Sequence, residues 1–286
     1  MKKILFPFEL DNPAYRDAYV FAVKFARNIT ADLILLHVFD IDMNNTTTRE
    51  EYNKMVRNKW YKAYLETNKF NNHYLENFVR VDNELRIKVD YRFIHGKLQN
   101  EIRKIIINEP VDLIVLPVFD EKSMNKQQLE IIQDNIFEKN RASLLIIPFC
   151  CGFKPVKKIV FATDLKKLND YRLYLNDVIR FANIFDSNIH FIHITKSDTA
   201  FMPEDSEAYR TMMKIIYNNS RHVFKSFHGT DIIDSVNEYA EQNNADLLVV
   251  VKHQHYFLDS ILHRSVTDEI SMRSKIPVLV MREKGS

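Results

Sequence analysis

Lys3-Ile4-Leu5-Phe6-Pro7-Phe8-Glu9-Leu10 returns 155 residues later as Lys158-Ile159-Val160-Phe161-Ala162-Thr163-Asp164-Leu165. Each copy is an apolar run without polar alternation that ends on an acid, the pattern of a strand covered on both faces. Working outward, Leu35-Leu36-His37-Val38 returns as Phe191-Ile192-His193-Ile194, and Phe93-Ile94-His95-Gly96 as Ser226-Phe227-His228-Gly229. Asp112-Leu113-Ile114-Val115-Leu116 matches Asp246-Leu247-Leu248-Val249-Val250, and Leu145-Ile146-Ile147-Pro148 is matched to Pro277-Val278-Leu279-Val280. The order is kept throughout, so the chain contains its own repeat.

Between the landmarks the pattern switches to helical spacing. Asn12 is placed to cap a helix with Pro13 at its first position, and Ala18, Phe21, Ala22, Phe25, Ala26 and Ile29 then line one face. Leu98 to Asn108, Asp170 to Phe185 and Thr230 to Gln242 read as further helices. The first copy is about twenty residues longer between its second and third landmarks, within Asn44 to Leu85. Trp60, Tyr61, Tyr64 and Leu65 there predict a long helix packed on the domain. Strand–helix alternation implies parallel sheets with right-handed crossovers. The predicted fold class is therefore α/β, with two tandem doubly wound domains, each holding its own five-stranded parallel Rossmann-like sheet. The boundaries read as 1–149 and 156–286, with 150–155 as linker around Gly152-Phe153-Lys154-Pro155. The closing strands Leu144 to Pro148 and Pro277 to Met281 are expected to be buried where the two domains dock about a pseudo-twofold axis.

Composition narrows function by exclusion. The chain has 286 residues, 46% hydrophobic and 27% charged, a soluble balance. No apolar run reaches the roughly 18 residues of a membrane span, and Met1-Lys2-Lys3 followed at once by a strand does not read as a signal peptide. A cytoplasmic protein is expected. Net charge is +2, shared evenly between the halves, so no basic module for nucleic acid stands out. The two cysteines, Cys150 and Cys151, are adjacent and offer neither a disulfide framework nor metal-ligand spacing. Only 4 glycines occur, about 1.4% against about 7% in an average protein. Walker loop, dinucleotide fingerprint, Gly-x-Ser-x-Gly elbow and His-Glu-x-x-His helix are all missing. No reaction is assigned, and the aromatic residues, Phe21, Phe25, Phe181 and Phe185 among them, sit at core spacing rather than in a stacking surface.

Taken twice in one order, the strand ending in an acid, the Leu-x-His-Val run, the lone glycine after the third strand, the Asp-Leu-Ile-Val strand and the Pro-Val-Leu-Val strand resemble the universal stress protein family in its tandem form. The resemblance covers residues 2–148 and 156–282. It implies five-stranded doubly wound domains that pair, and, in many members, ATP at the carboxyl ends of the strands. ATP-binding members carry Gly-x2-Gly-x9-Gly-Ser/Thr after the fourth strand, where glycines let main-chain N–H groups approach phosphate. Here the region from Val251 to Thr267 contains no glycine: Lys252, His255 and Arg264 fall at the glycine positions, and the spacer is one residue short. Asp164 keeps the adenine-contacting position, and Ser265, Val266 and Thr267 open the last helix. The resemblance thus places an adenine-nucleotide or other anion site among Ala162, Thr163, Asp164, Ile194, Lys252, Arg264, Ser265, Val266 and Thr267. In the first half, Pro117, Asp120 and Glu121 occupy the loop and Glu9 ends the strand, so no nucleotide is expected there.

His37 and His193 end buried strands and read as hydrogen-bonded histidines beneath the ligand site. His253, His255 and His263 form a histidine loop, which keeps a metal-binding reading open. The leading expectation is a non-enzymatic stress-response protein, acting by interaction or ligand sensing as a monomer or homodimer with an unidentified protein partner. The alternatives are an ATP or adenine-nucleotide sensor using the second domain, with slow hydrolysis as a variant, and the metal reading.

Overall fold

The computed structural model describes residues 2–9, 15–41, 48–79, 87–118, 142–148, 151–163, 168–195, 207–217, 220–252 and 273–282. The side chains of residues 16, 70–79, 168–174, 208, 252 and 282 are excepted. The first half runs β1 (Lys3–Pro7), α1 (Tyr15–Ile29), β2 (Asp32–Phe39), α2 (Arg49–Val79), β3 (Val89–His95), α3 (Leu98–Asn108), β4 (Leu113–Val118) and β5 (Ser143–Pro148). The second runs β6 (Lys158–Thr163), α4 (Leu168–Phe185), β7 (Asn188–Thr195), α5 (Glu207–Ile216), β8 (Arg221–His228), α6 (Ile232–Gln242), β9 (Leu247–Lys252) and β10 (Val278–Arg282). Asn12 and Pro13 lie outside the described residues. The helix α5 is an addition to the sequence reading; Tyr209, Met212, Met213 and Ile216 carry its apolar stripe, and Met212 and Ile216 are buried.

The expectation of a separate sheet for each half is corrected. The ten strands form one sheet in the order β3-β2-β1-β4-β5-β10-β9-β6-β7-β8. Each half supplies five parallel strands, and β5 pairs antiparallel with β10, Leu145 opposite Leu279. The two expected edges do meet, but they meet by main-chain hydrogen bonding rather than by docking of closed sheets. Unpaired strand edges expose donors and acceptors that seek partners, and the sequence supplies two matching ones.

Register shows how far the repeat extends. Ile4 pairs with Leu113 as Ile159 pairs with Leu247, Lys3 with Asp32 as Lys158 with Asn188, and Leu33 with Val89 as Ile189 with His222. Those pairs keep the correspondences read from sequence. The last one shifts: Leu144 is bonded to Ile114 as Val278 is to Leu248, so Leu145 corresponds to Leu279, two residues from the sequence match.

Small devices repeat as well. Asp112 accepts from the N–H groups of Lys2 and Lys3 at 2.6 and 3.1 Å, and Asp246 from those of Lys157 and Lys158 at 2.9 Å each. The acid before each fourth strand thus ties down the start of each first strand. Helix α1 closes on Thr30 with φ 52° and Ala31 N–H bonded to Ala26 at 2.9 Å; α4 closes on Asp186 with φ 53° and Ser187 bonded to Ala182 at 2.8 Å. Both are left-handed caps that satisfy terminal carbonyls.

Side chains alternate between two apolar layers. Ile4, Phe6, Phe161 and Leu279 face α1, α4 and α5, while Leu5, Val160 and Val278 face α3 and α6. Each layer runs through both halves without a break. At the middle of the first layer, Phe25 is 1% exposed and lies 5.6 Å from Phe181, 6.0 Å from Phe185 and 6.1 Å from Phe21, ring centre to ring centre. Phe153 of the linker closes the cluster edge-on against Phe21 at 5.3 Å. The α2 expectation is right in type and half right in packing. Trp60 and Tyr64 stack at 5.5 Å and rest edge-on against Phe93 of β3, yet Trp60, Tyr61, Tyr64 and Leu65 all remain at least 40% exposed. Ala63 and Thr67 make the buried stripe instead.

Truncating Phe25 to alanine should cost about 3–5 kcal/mol, read as a shifted urea midpoint. Because Phe25 bridges the halves, both should lose stability together in one transition; two resolved transitions would contradict a shared core. A second expectation concerns acid. Arg92 and Lys3 bond Glu109, Lys3 at 3.1 Å, and the Arg92 hydrogen bonds lead in holding its carboxyl at about 2. A depressed carboxylate stabilises the fold above its unfolded pKa of about 4.3, and that contribution fades as pH falls toward the folded value. Glu109→Gln should flatten the stability profile between about pH 4.5 and pH 2, measured by urea unfolding across that range.

Candidate functional site

Open α/β sheets bind ligands beyond the carboxyl ends of strands, where the order of connection reverses. Here the chain leaves β6 toward β7 and β8 on one side and reaches β9 and β10 on the other. The ladder between β6 and β9 runs only from Ile159–Leu247 to Phe161–Val249. Beyond it, Ala162 and Thr163 stay paired with Ile192 and His193 of β7, while Val250, Val251 and Lys252 stay with β10. The two strand ends therefore part, which is the geometry of the crevice that open α/β sheets offer a ligand.

Thr163 is buried, and its carbonyl accepts from Nδ1 of His193 at 2.9 Å. A carbonyl can only accept, so Nδ1 carries the proton. The same bond joins His37 Nδ1 to the carbonyl of Phe8 at 3.1 Å. Both histidines are hydrogen-bonded, as expected, and each ties the carboxyl end of its half's first strand to the second, through the last strand residue at Thr163 and one residue past the strand at Phe8. Ile194 lies one residue further along β7 and packs on the α3 and α6 layer. Lys252 ends β9 beside Arg282 of β10. Ala162, Thr163 and Ile194 are thus brought together, with the backbone of Lys252 across the crevice. Asp164, Arg264, Ser265, Val266 and Thr267 lie outside the described residues, as do His253, His255 and His263.

Gly229 belongs to this site and was used in the sequence reading only as a landmark. Its N–H bonds Thr195 at 3.0 Å, and a Cβ there would stand 2.9 Å from Cγ2 of Ile194 and would collide with Ser235. The signal was available: a glycine kept in so glycine-poor a chain marks a close approach. Helix α6 begins just after it and is capped from within, since Asp231 Oδ1 accepts from the N–H groups of Ile233 at 2.8 Å and Asp234 at 3.0 Å. This helix start is already satisfied by a carboxylate.

The first half differs at the strand ends. Pro7 and Phe8 stand where Ala162 and Thr163 do, and Pro117 stands where Val251 does. Phe8 stacks on Phe6 at 6.3 Å and leans on His37 at 5.6 Å, a ring where the second half has the smaller Thr163. Proline removes the main-chain donor from both flanking strands. Gly96, with φ +154°, is kept, and a Cβ there would come 2.9 Å from the Glu101 carboxylate. Asp120 and Glu121 lie outside the described residues.

Comparison with known proteins adds a likeness. Residues 220–282 match the model of the Universal stress protein family. The fold of the whole chain is similar to that of a universal stress protein from Archaeoglobus fulgidus, with 14% identity, 98% of each chain covered and a TM-score of 0.69. It is also similar to a crystal structure from Pseudomonas aeruginosa described as a universal stress protein, with 14% identity, 99% of this chain and 94% of that one covered, and a TM-score of 0.62. The curated proteins give no match. At such identity the two structures speak for the fold, and they share it over both halves. The matched segment holds β8, α6, β9 and β10, which includes Gly229 and one wall of the crevice.

Gly229→Ala should destabilise the fold by about 1–3 kcal/mol, the usual cost of overpacking a filled site. Thermal melting checks it, and a substitution without effect would show that Ile194 and Ser235 move aside freely.

Proposed function

We propose that the chain is a tandem universal stress protein that works by ligand sensing and interaction rather than catalysis, with its ligand-competent crevice in the second half. The observation that carries this reading is the contrast at the two crossing points. Phe8, Pro7 and Pro117 put a ring and two residues without a main-chain donor at the first, whereas Thr163, Ala162 and Val251 put a hydroxyl and main-chain N–H groups at the second. The same contrast favours a second, narrower reading, an adenine-nucleotide sensor. On that reading Asp164 contacts the base, Lys252 and Arg264 supply charge where family members use glycine, and Ser265, Val266 and Thr267 offer the start of a helix to phosphate.

A cytoplasmic setting goes with this proposal. Among the described residues no helix is long and apolar enough to cross a membrane. A monomer or homodimer is proposed as well, because β5 and β10 satisfy each other within one chain and so remove the edges that would otherwise recruit another copy.

Calorimetry with ATP tests the nucleotide reading. With Lys252, His255 and Arg264 in place of the family's glycines, a phosphate would approach the main chain less closely, so a dissociation constant of tens of micromolar is expected, worth about 6 kcal/mol. Thr163→Phe, which copies the first half, should abolish binding with the fold intact by circular dichroism. Arg264→Glu should weaken binding at least tenfold. Submicromolar affinity, or binding indifferent to both changes, would place the ligand elsewhere.

A further inference from the structure

The sheet has two ends, and they are treated differently. At one end α2 packs against β3, with Trp60 and Tyr64 on Phe93. At the other, β8 is the last strand, and among the described residues nothing pairs with its outer side. The N–H of Gly229 bonds inward to Thr195. In a pleated strand the main-chain groups alternate in direction, so those of residues 221, 223, 225 and 227 turn toward β7. Those of His222, Phe224, Ser226 and His228 turn outward.

Beside this edge runs a groove of about 670 Å3 between β8 and α6, walled by Lys225, Phe227, Ser235, Tyr239 and Gln242. Its floor is apolar and firm: Phe227 and Tyr239 stack at 5.6 Å with their rings 20° apart, and the Tyr239 hydroxyl meets Nδ1 of His190 at 3.0 Å. Lys225 reaches over the Tyr239 ring, 5.7 Å from its centre, rather than into a carboxylate. Val223, on the same side of the strand, is 37% exposed.

The charge on this edge is one-sided. From Arg221 to His228 the strand carries Arg221, His222, Lys225 and His228 and no acid. Arg221 is engaged by Asp186, and Glu238 is the acid of the groove wall, so Lys225 is the cation left facing the opening among the described residues. A second copy laid along β8 would bring the same basic strand against itself, and like charges across a strand pair are destabilising.

We propose that β8 is a docking edge for an extended acidic segment of a partner protein, which adds to the sheet as an eleventh strand. Main-chain bonds to Phe224 and Ser226 would supply register, alternate apolar side chains would enter the groove over Phe227 and Tyr239, and carboxylates would meet Lys225. Strand addition of this kind draws affinity from the main chain and specificity from alternate side chains.

A dye-labelled eight-residue peptide alternating Glu and Val is the probe, followed by fluorescence polarisation. A Lys–Val peptide and a Glu–Val peptide N-methylated at alternate residues are the controls. The wild-type chain should bind the Glu–Val peptide and neither control. Ser226→Pro removes an outward N–H while sparing the inner ladder, a place where edge strands tolerate proline, and should lower affinity at least tenfold with an unchanged melting temperature. Lys225→Glu should transfer the preference to the Lys–Val peptide, which keeps the test open if the proline variant folds poorly. Failure of the Glu–Val peptide to bind, equal binding of the N-methylated peptide, or a light-scattering dimer that Lys225→Glu dissociates would each overturn the proposal.

Discussion

The pairing of Leu145 with Leu279 across β5 and β10 is the constraint on which the rest of the molecule depends. It sits on the pseudo-twofold axis, and every other correspondence between the halves radiates from it. Main-chain donors and acceptors on both closing strands are satisfied at once, and the sheet that results is continuous through ten strands. Two apolar layers can then run unbroken above and below it. The Phe25, Phe181 and Phe185 cluster exists because that pairing brings α1 and α4 side by side.

Symmetry of scaffold has not kept symmetry of site. The devices that build the sheet occur in both halves: the Asp112 and Asp246 ties, the His37 and His193 bonds, and the left-handed caps at Thr30 and Asp186. The residues that would face a ligand do not recur. Phe8 and Thr163 hold equivalent places at the carboxyl ends of the first strands and differ in volume and polarity, and Pro117 stands where Val251 does. Each change is local to a strand end, where the ladder between the first and fourth strands has already stopped. A site can therefore be closed in one half without disturbing the fold. Charge has diverged in the same way: Lys3 reaches the Glu109 carboxylate, whereas Lys158 reaches only the carbonyl of Asn243.

Much of this was legible in residues 3–10 and 158–165 and in the landmarks that follow. Strands covered on both faces must be apolar throughout, so their positions are written in composition, and an ordered repeat of five landmarks does not arise from propensity alone. The helix α5 was less visible because the helix that carries the stripe of Tyr209, Met212, Met213 and Ile216 is only 10 residues long, too short to assert a period. Gly229 was visible, but its neighbours Ile194 and Ser235 come from different elements, and no spacing along the chain announces that meeting.

What the sequence by itself determined is the alternation of strand and helix, the repeat, and the order in which strands recur, because each rests on periodicity within a segment. Tertiary structure alone decided that the two halves share one sheet, and in which register. The match of Leu145 to Pro277 and the true match of Leu145 to Leu279 differ by two residues. A slip of two leaves every side chain on its own face, since the strand period is two. Apolar pattern is blind to such a slip, and only the hydrogen-bonded main chain, which every residue carries alike, could choose between them.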